Sequence, residues 1–328
     1  MVLGWAARGR LWDYLIAFAI ILGLNFFLPR CMPGDPFLAI YGEEAVLHLS
    51  PQVQAELMAQ YGLNEPWLTQ LWYYLRNLCH GQLGYSYYYT TPVSHVLLGA
   101  LPWTLLLAGG SLLLSFLIGT VLGIESAWRR GQTLDRGLLT GVMLTGSLPD
   151  YFLGAVLLLL LAGGLGLFPL SGAVTAYTSW HGPRLWADVL HHLVLPLVAV
   201  TVAHVGGFYL MSRNAMLRNL HRPFILTARS KGLTETAVRY RHAGRNALLP
   251  VVTEAGVAAA RLMTGVLFVE TVFAYPGVGS VIYQALQARD YPLLQGAFLV
   301  VTVTVLILNY ALEVLYGRLD ARVRDHAH

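Results

Sequence analysis

The sequence predicts an all-α, polytopic membrane protein with six transmembrane helices, and three observations carry that expectation. Hydrophobic residues make up 56% of the 328-residue chain and charged residues only 12%, against roughly 25% charged in soluble domains. Six separate segments are apolar over the about 20 residues that a helix needs to cross a hydrocarbon core about 30 Å thick. Positive side chains gather in alternate loops, the pattern of a chain threaded repeatedly through a bilayer. The same composition excludes disorder, collagen and a disulfide-rich secreted scaffold, since apolar residues dominate, the 33 glycines keep no triplet period and there are 2 cysteines. Six spans and their loops use up the length, so a large catalytic domain does not fit beside them.

The first segment, residues 11–28, follows Arg8 and Arg10 and is closed by Pro29; no small-x-small cleavage site ends it, so it reads as a retained anchor. The second, 102–124, opens on Pro102, a residue suited to a first helical position. The third, 138–161, carries a break at Ser147, Leu148 and Pro149. The fourth is 191–212, the fifth is 247–270 with Asn246 placed to cap it, and the sixth is 293–316, preceded by Pro292. Between the first two spans, the apolar patterns at 51–61 and 66–78 predict two short amphipathic helices in a long outer loop, residues 30–101. Gly119 with Gly123, and Gly137 with Gly141, form small-xxx-small pairs that predict close helix packing.

Residues 1–10 hold 2 positive side chains, residues 125–137 hold 3, residues 213–246 hold 8 and the tail from 317 holds 3, which puts 16 of the 21 on one side. Arg30, Arg76, Arg184 and Arg289 fall on the other side, and Arg261 lies within the fifth span. Positive residues near span ends stay cytoplasmic, so both termini are expected there. The net charge of +4 is too mild and too localised for a nucleic-acid protein. The chain has a single lysine, Lys231, followed by Gly232. A phosphate-binding P-loop needs Gly-Lys-Ser/Thr, so any drive from ATP has to come from a partner.

The segment 222–250 is far longer than a connector between two spans needs. Pro223 suits a first helical position, residues 224–231 continue a helix, and Gly232 can end it in the left-handed conformation. Thr234 can cap a second piece, and Gly244 marks a further break.

These residues carry a family resemblance. Ala228, Arg229, Ser230, Lys231, Gly232 and Leu233, followed by Arg241, His242, Arg245, Asn246, Ala247, Leu248 and Pro250, resemble the EAA loop of binding-protein-dependent ABC importer permeases. Pro33-Gly34-Asp35-Pro36, Leu83, Gly84 and Ser86, Ser147-Leu148-Pro149, and Glu270 to Phe273 with Pro276, Gly277 and Gly279 resemble the dipeptide, oligopeptide and nickel permease branch. So do Arg289 to Pro292, Asn309 and Asp320, and the match runs from about residue 11 to 324. The resemblance implies a type I importer permease of the bacterial inner membrane. A second, related permease subunit would complete the pathway, two ATP-binding subunits would dock on the EAA loops, and an extracytoplasmic solute-binding protein would deliver the ligand. The cargo would be a peptide or a related small solute such as a nickel chelate, an opine or glutathione. It also implies a transport subunit with no ATPase site or cofactor of its own. The division expected is 1–101 for the first span and outer loop, 102–316 for the core with its 222–250 loop, and 317–328 for a tail.

Physically, Ala228 and Gly232 allow close approach to a groove on a motor subunit, and the arginines can pair with an acidic rim. The competing reading is that the basic residues only fix topology and touch lipid headgroups. Within the spans, Glu254 and Arg261 are seven residues apart and share one helical face, and charges there are costly unless paired or wet. Both depart from the family's usual small or apolar residues, as does Asp150 from a small polar one; these three are the candidate substrate pathway, with a structural ion pair as the alternative for the first two. Adjacent His191 and His192 point about 100° apart and, with His204, read as interfacial or pore-lining rather than as a metal site. Cys31 and Cys79 share the outer loop, where a disulfide is an option. An ion-coupled secondary transporter is the alternative function, against which the spans show no internal repeat.

Overall fold

The computed structural model describes residues 16, 18–27, 50, 52–53 and 65–319. Arg8, Arg10, Pro29, Cys31, the Pro33-Gly34-Asp35-Pro36 motif, most of the helix expected over 51–61, and Asp320 with the rest of the tail lie outside the described residues. The regular elements of the described chain are helices apart from one antiparallel ladder of two residues per strand, β1 (Tyr85–Ser86) with β2 (Thr91–Pro92), so the all-α class holds. In order the helices are α1 (Phe18–Phe27), α2 (Trp67–Cys79), α3 (Val93–Trp128), α4 (Thr133–Gly146), α5 (Asp150–Leu157), continued by a π-helical turn at Leu158–Gly164, and α6 (Pro183–Leu220). Then follow α7 (Pro223–Ser230), a π-helical segment at Ala237–Gly244, α8 (Arg245–Val272), α9 (Val278–Gln287) and α10 (Tyr291–Leu319).

Three helices among the described residues are long and apolar enough to cross a membrane: α3, α6, and α10 over Tyr291–Ala311. Two bent pairs pass the same test together. One is α4 with Asp150–Gly164, bent by 96°; the other runs through Ala237–Met263 and Gly265–Val272, bent by 45°. The expected third span, 138–161, is thus interrupted between two helices, because Pro149 cannot donate to the preceding turn and Ser147 to Pro149 leave the helix. Its ends are satisfied locally: the Ser147 hydroxyl donates to the Leu144 carbonyl at 2.7 Å, and the Leu148 N–H to Thr145 at 3.2 Å.

Four further expectations are corrected. Pro102 does not start its helix but sits inside α3, which begins at Val93; an interior proline removes one backbone bond, which a 36-residue helix can spare. Gly244 does not break the loop: its φ of −63° is helical, and the π segment runs straight into α8. A methyl there would lie 2.9 Å from the Arg239 carbonyl and 3.3 Å from Ile124, so close approach explains the glycine. Asn246 lies inside α8, its side chain donating to the His242 carbonyl, and caps nothing. Gly137 and Gly141 meet no neighbour within 4 Å. Gly119 and Gly123 do pack closely, against α6: added methyls would come 2.7 Å from Phe208 and 2.6 Å from the Tyr209 carbonyl.

The chain divides into two compact units, Met1–Pro102 with Gly277–Thr304, and Trp103–Pro276 with Val305–His328. In the first, Asp290 is fully buried and its carboxylate gathers the Ser86 hydroxyl at 2.6 Å and the Tyr88 N–H at 3.0 Å, while capping the Leu293 N–H at 3.1 Å. Gly84, at φ +90°, brings the loop before β1 against Pro292, and Gly296 lets Val93 and Leu97 approach α10. The second unit is centred on α6, which packs against α4, α5 and α8 and contributes 17 buried residues. Its core joins Leu107, Leu193, Val200, Leu262, Val266 and Phe273.

Candidate functional site

The 222–250 loop folds as its local signals dictate. Pro223 occupies the first turn of α7, Gly232 follows the helix at φ +72°, and Thr234 Oγ1 accepts the Ala237 N–H at 3.3 Å. The Gly232 N–H reaches back to the Arg229 carbonyl at 2.9 Å, closing the helix end. One side of α7 is apolar and buried: Ile225 and Ala228 pack with Ile124, Ala127, Ala215, Met216, Val238 and Ala243. Ala228 thus faces the chain's own core, not an outside groove. The outward side carries Leu226, 67% exposed, and then an unbroken exposed run from Arg229 through Lys231 and Gly232 to Thr236.

Two polar clusters hold the ends of the long helices here, the first of which also ties in the loop, and sequence patterning alone revealed neither. Glu125, near the end of α3, accepts Arg239 Nη1 at 2.7 Å and the Tyr240 hydroxyl at 2.5 Å, both from the π segment, and lies 3.5 Å from Arg129 Nε. The Arg239 guanidinium also covers the Trp128 ring at 4.8 Å. Beside it, Asp135 of α4 is buried and receives Arg213 Nε at 2.9 Å and Nη2 at 3.1 Å, the Ser126 hydroxyl at 2.5 Å and the Gly131 N–H at 2.8 Å. Tyr209 completes the set at 2.7 Å from Ser126. The available signal was a set of charges at span ends, which topology counting absorbed.

The three pathway candidates lie on adjoining elements, α5 and α8, which pack on each other and on α6. Arg261 Nη2 donates to Glu254 Oε1, so the pair predicted from seven-residue spacing forms. It is lopsided: the Glu254 side chain is 18% exposed and Arg261 62%. Asp150 stands in the first turn of α5, its Oδ1 accepting the Tyr151 N–H at 2.9 Å and its Oδ2 directed at Gly265 of α8. Asp150 thus meets α8 at Gly265, whereas the Glu254–Arg261 pair lies nearer the start of α8, with Glu254 Oε1 beside Gly207 of α6.

The histidines are engaged singly. His191 bonds the Leu167 carbonyl at 3.0 Å, His192 the Asp188 carbonyl at 2.9 Å, and His204 the Val200 carbonyl at 3.0 Å. No group of three or more His, Cys, Asp or Glu side chains that could hold a metal ion occurs among the described residues. Cys79 is exposed.

A family model described as binding-protein-dependent transport system inner membrane component matches residues 119–325. The chain is 33% identical over 317 residues to the di/tripeptide transport system permease protein of Pseudomonas aeruginosa (strain UCBPP-PA14), covering 92% of this chain and 93% of that protein. It is 32% identical over 319 residues to the dipeptide transport system permease protein of Escherichia coli (strain K12), again covering 92% and 93%. Among solved structures, a chain of the MetNI methionine ABC transporter in inward facing conformations matches with a TM-score of 0.56 at 19% identity, across 69% of this chain and 97% of that one; that likeness concerns the fold.

Proposed function

The chain belongs to the family of binding-protein-dependent transport system inner membrane components, as a multi-pass permease subunit of an ABC importer, and from that premise we propose that it forms half of a translocation pathway for peptides or a related small solute. The observation that carries the mechanism is the two-sided build of α7: Ile225 and Ala228 anchor it, while Leu226 and the Arg229–Leu233 run face outward. A helix held by its apolar side and bare on the other can transmit a push. In this reading Ala228, Arg229, Ser230, Lys231, Gly232 and Leu233 form a coupling element for an ATP-binding subunit, Ala228 by seating the helix and the others by contact. Two such subunits hydrolyse ATP, the permease itself does not, and a related second permease and an extracytoplasmic solute-binding protein complete the assembly. Both termini lie in the cytoplasm of the bacterial cell. Residues 1–101 form the anchor and outer cap, 102–316 the permease core and 317–328 the tail.

Glu254, Arg261 and Asp150 belong to the pathway. Support comes from the exposure of Arg261: a guanidinium in the middle of an apolar span costs several kcal/mol against lipid, so its open side must meet water or another chain.

Reconstitution tests the reading. The chain co-expressed with its ATP-binding subunits is expected to purify with them and to take up peptide only with ATP and binding protein. Uptake by this chain alone in ion-loaded liposomes would instead establish a secondary carrier.

A further inference from the structure

Asp150, His204 and Gly265 come from α5, α6 and α8 and meet at one point. A methyl built on Gly265 would lie 2.5 Å from Asp150 Oδ2 and 3.7 Å from His204 Cε1. Only a residue with no side chain leaves room there for the carboxylate. The chemistry at that point is one-sided. His204 borders the point with its Cε1 edge, and its Nδ1 is already engaged, 3.0 Å from the Val200 carbonyl. Asp150 uses Oδ1 on the Tyr151 N–H and keeps Oδ2, the atom at Gly265, as an acceptor. A carboxyl oxygen left open at that point suits an N–H donor, an ammonium above all.

The opposite charge stands further along the same seam. Arg261 lies four residues before Gly265, across the bend between Met263 and Gly265, and its guanidinium is turned toward Glu254. An extended tripeptide, at about 3.3–3.6 Å per residue, spans about 10 Å, the scale of one to two turns of helix. At the Arg261 end Gly207 of α6 is exposed and a methyl on it would lie 3.7 Å from Glu254 Oε1, so no side chain from that position crowds the pair.

We propose that this seam is a binding site for short zwitterionic peptides, in which Asp150 Oδ2, beside the His204 ring, takes the N-terminal ammonium and Arg261 takes the C-terminal carboxylate. Glu254 holds the guanidinium in place when the site is empty and yields part of it to the arriving carboxylate. The acid in the first turn of α5 also complements that helix's positive end, but that role needs neither the glycine at 265 nor the histidine opposite. The inference rests on the peptide reading above and adds which groups read which end.

The test uses the full importer complex in lipid nanodiscs and three probes: trialanine, N-acetyl-trialanine and trialanine amide. Binding is measured calorimetrically without the solute-binding protein, whose own preferences are thereby removed. For the wild type, blocking either end is expected to weaken binding about tenfold or more. Asp150→Asn should weaken trialanine by a similar factor and become indifferent to acetylation; Arg261→Gln should become indifferent to amidation. A wild-type complex that imports trialanine with ATP yet shows no dependence on either blocked end overturns the site and leaves the peptide reading standing. A wild-type complex that neither binds nor imports trialanine overturns both. If the variants do not assemble, the wild-type series with the three probes still decides.

Discussion

Replacing Gly232 separates the backbone role of the α7 stop from the role of its outward face. The residue sits at φ +72°, where a β-carbon costs about 1 kcal/mol, a factor of about five in a local equilibrium. A methyl built there meets nothing within 4 Å, so the chain itself imposes no steric penalty and any larger effect must come from a partner. Asparagine tolerates the left-handed region better than other side chains. A series of Gly232→Ala, Gly232→Asn and Gly232→Asp therefore distinguishes the causes. Alanine should lower ATP-driven transport only a few-fold, in line with the backbone cost. Asparagine removes much of that cost but puts atoms on the outward face, and should impair transport more than alanine if a motor subunit packs there. Aspartate adds a charge opposed to the neighbouring Arg229 and Lys231 and should abolish both transport and ligand-stimulated hydrolysis, with membrane insertion and loop accessibility unchanged. Transport rates are read in proteoliposomes and topology by protease protection. Wild-type transport by a correctly inserted Gly232→Asp complex with the ATPase bound would refute the reasoning.

Glu125→Gln keeps the shape of the link between α3 and the π segment but removes the charge held by Arg239, Tyr240 and Arg129; a charge-assisted bond contributes about 1.5–3 kcal/mol, so hydrolysis should continue at near-normal rate while solute moved per ATP falls, and an unchanged ratio would sink the link. Asp135→Ala strands the partly buried Arg213 cation and should lower the melting temperature of the detergent-solubilised chain, by the equivalent of about 1–3 kcal/mol, whereas a melting curve identical to wild type would contradict the network. Gly123→Val forces a side chain into the 2.6 Å gap to the Tyr209 carbonyl; overpacking costs about 1–3 kcal/mol and often more, whereas Gly137→Val, in open space, should be neutral in the same thermal assay.

What the sequence made legible is what local chemistry controls. Pro223, Gly232 and Thr234 each act through their own backbone or the next turn, and all three do in the structure what their positions predict. The Glu254–Arg261 pair was legible for the same reason, since seven residues on a helix is a local distance. Contacts between distant segments were not. Gly119–Gly123 and Gly137–Gly141 spell the same motif, yet only the first pair has α6 against it. Ala228 looked like an outward contact because it is small, but the side it takes is set by Ile124 and Val238, which lie far from it or across the turn. Pro102 carried the chemistry of a helix start and was overridden by a helix already under way from Val93. The motif residues Gly84, Ser86, Asp290 and Pro292 could be matched singly in the sequence, but that they touch one another needed the fold.

The exposed Lys231 has a practical consequence. It is the chain's single side-chain amine, and it lies at the end of α7 beside Gly232, the glycine proposed to act in coupling. An amine-reactive fluorophore or cross-linker therefore has one lysine to find, on the native sequence, without introducing a cysteine or removing one. Because 20 of the 21 basic side chains are arginines, which such reagents leave untouched, the positive character of the loop survives in every residue but the one labelled. The chain thus comes with its own spectroscopic handle on the surface where ATP-driven motion is proposed to enter.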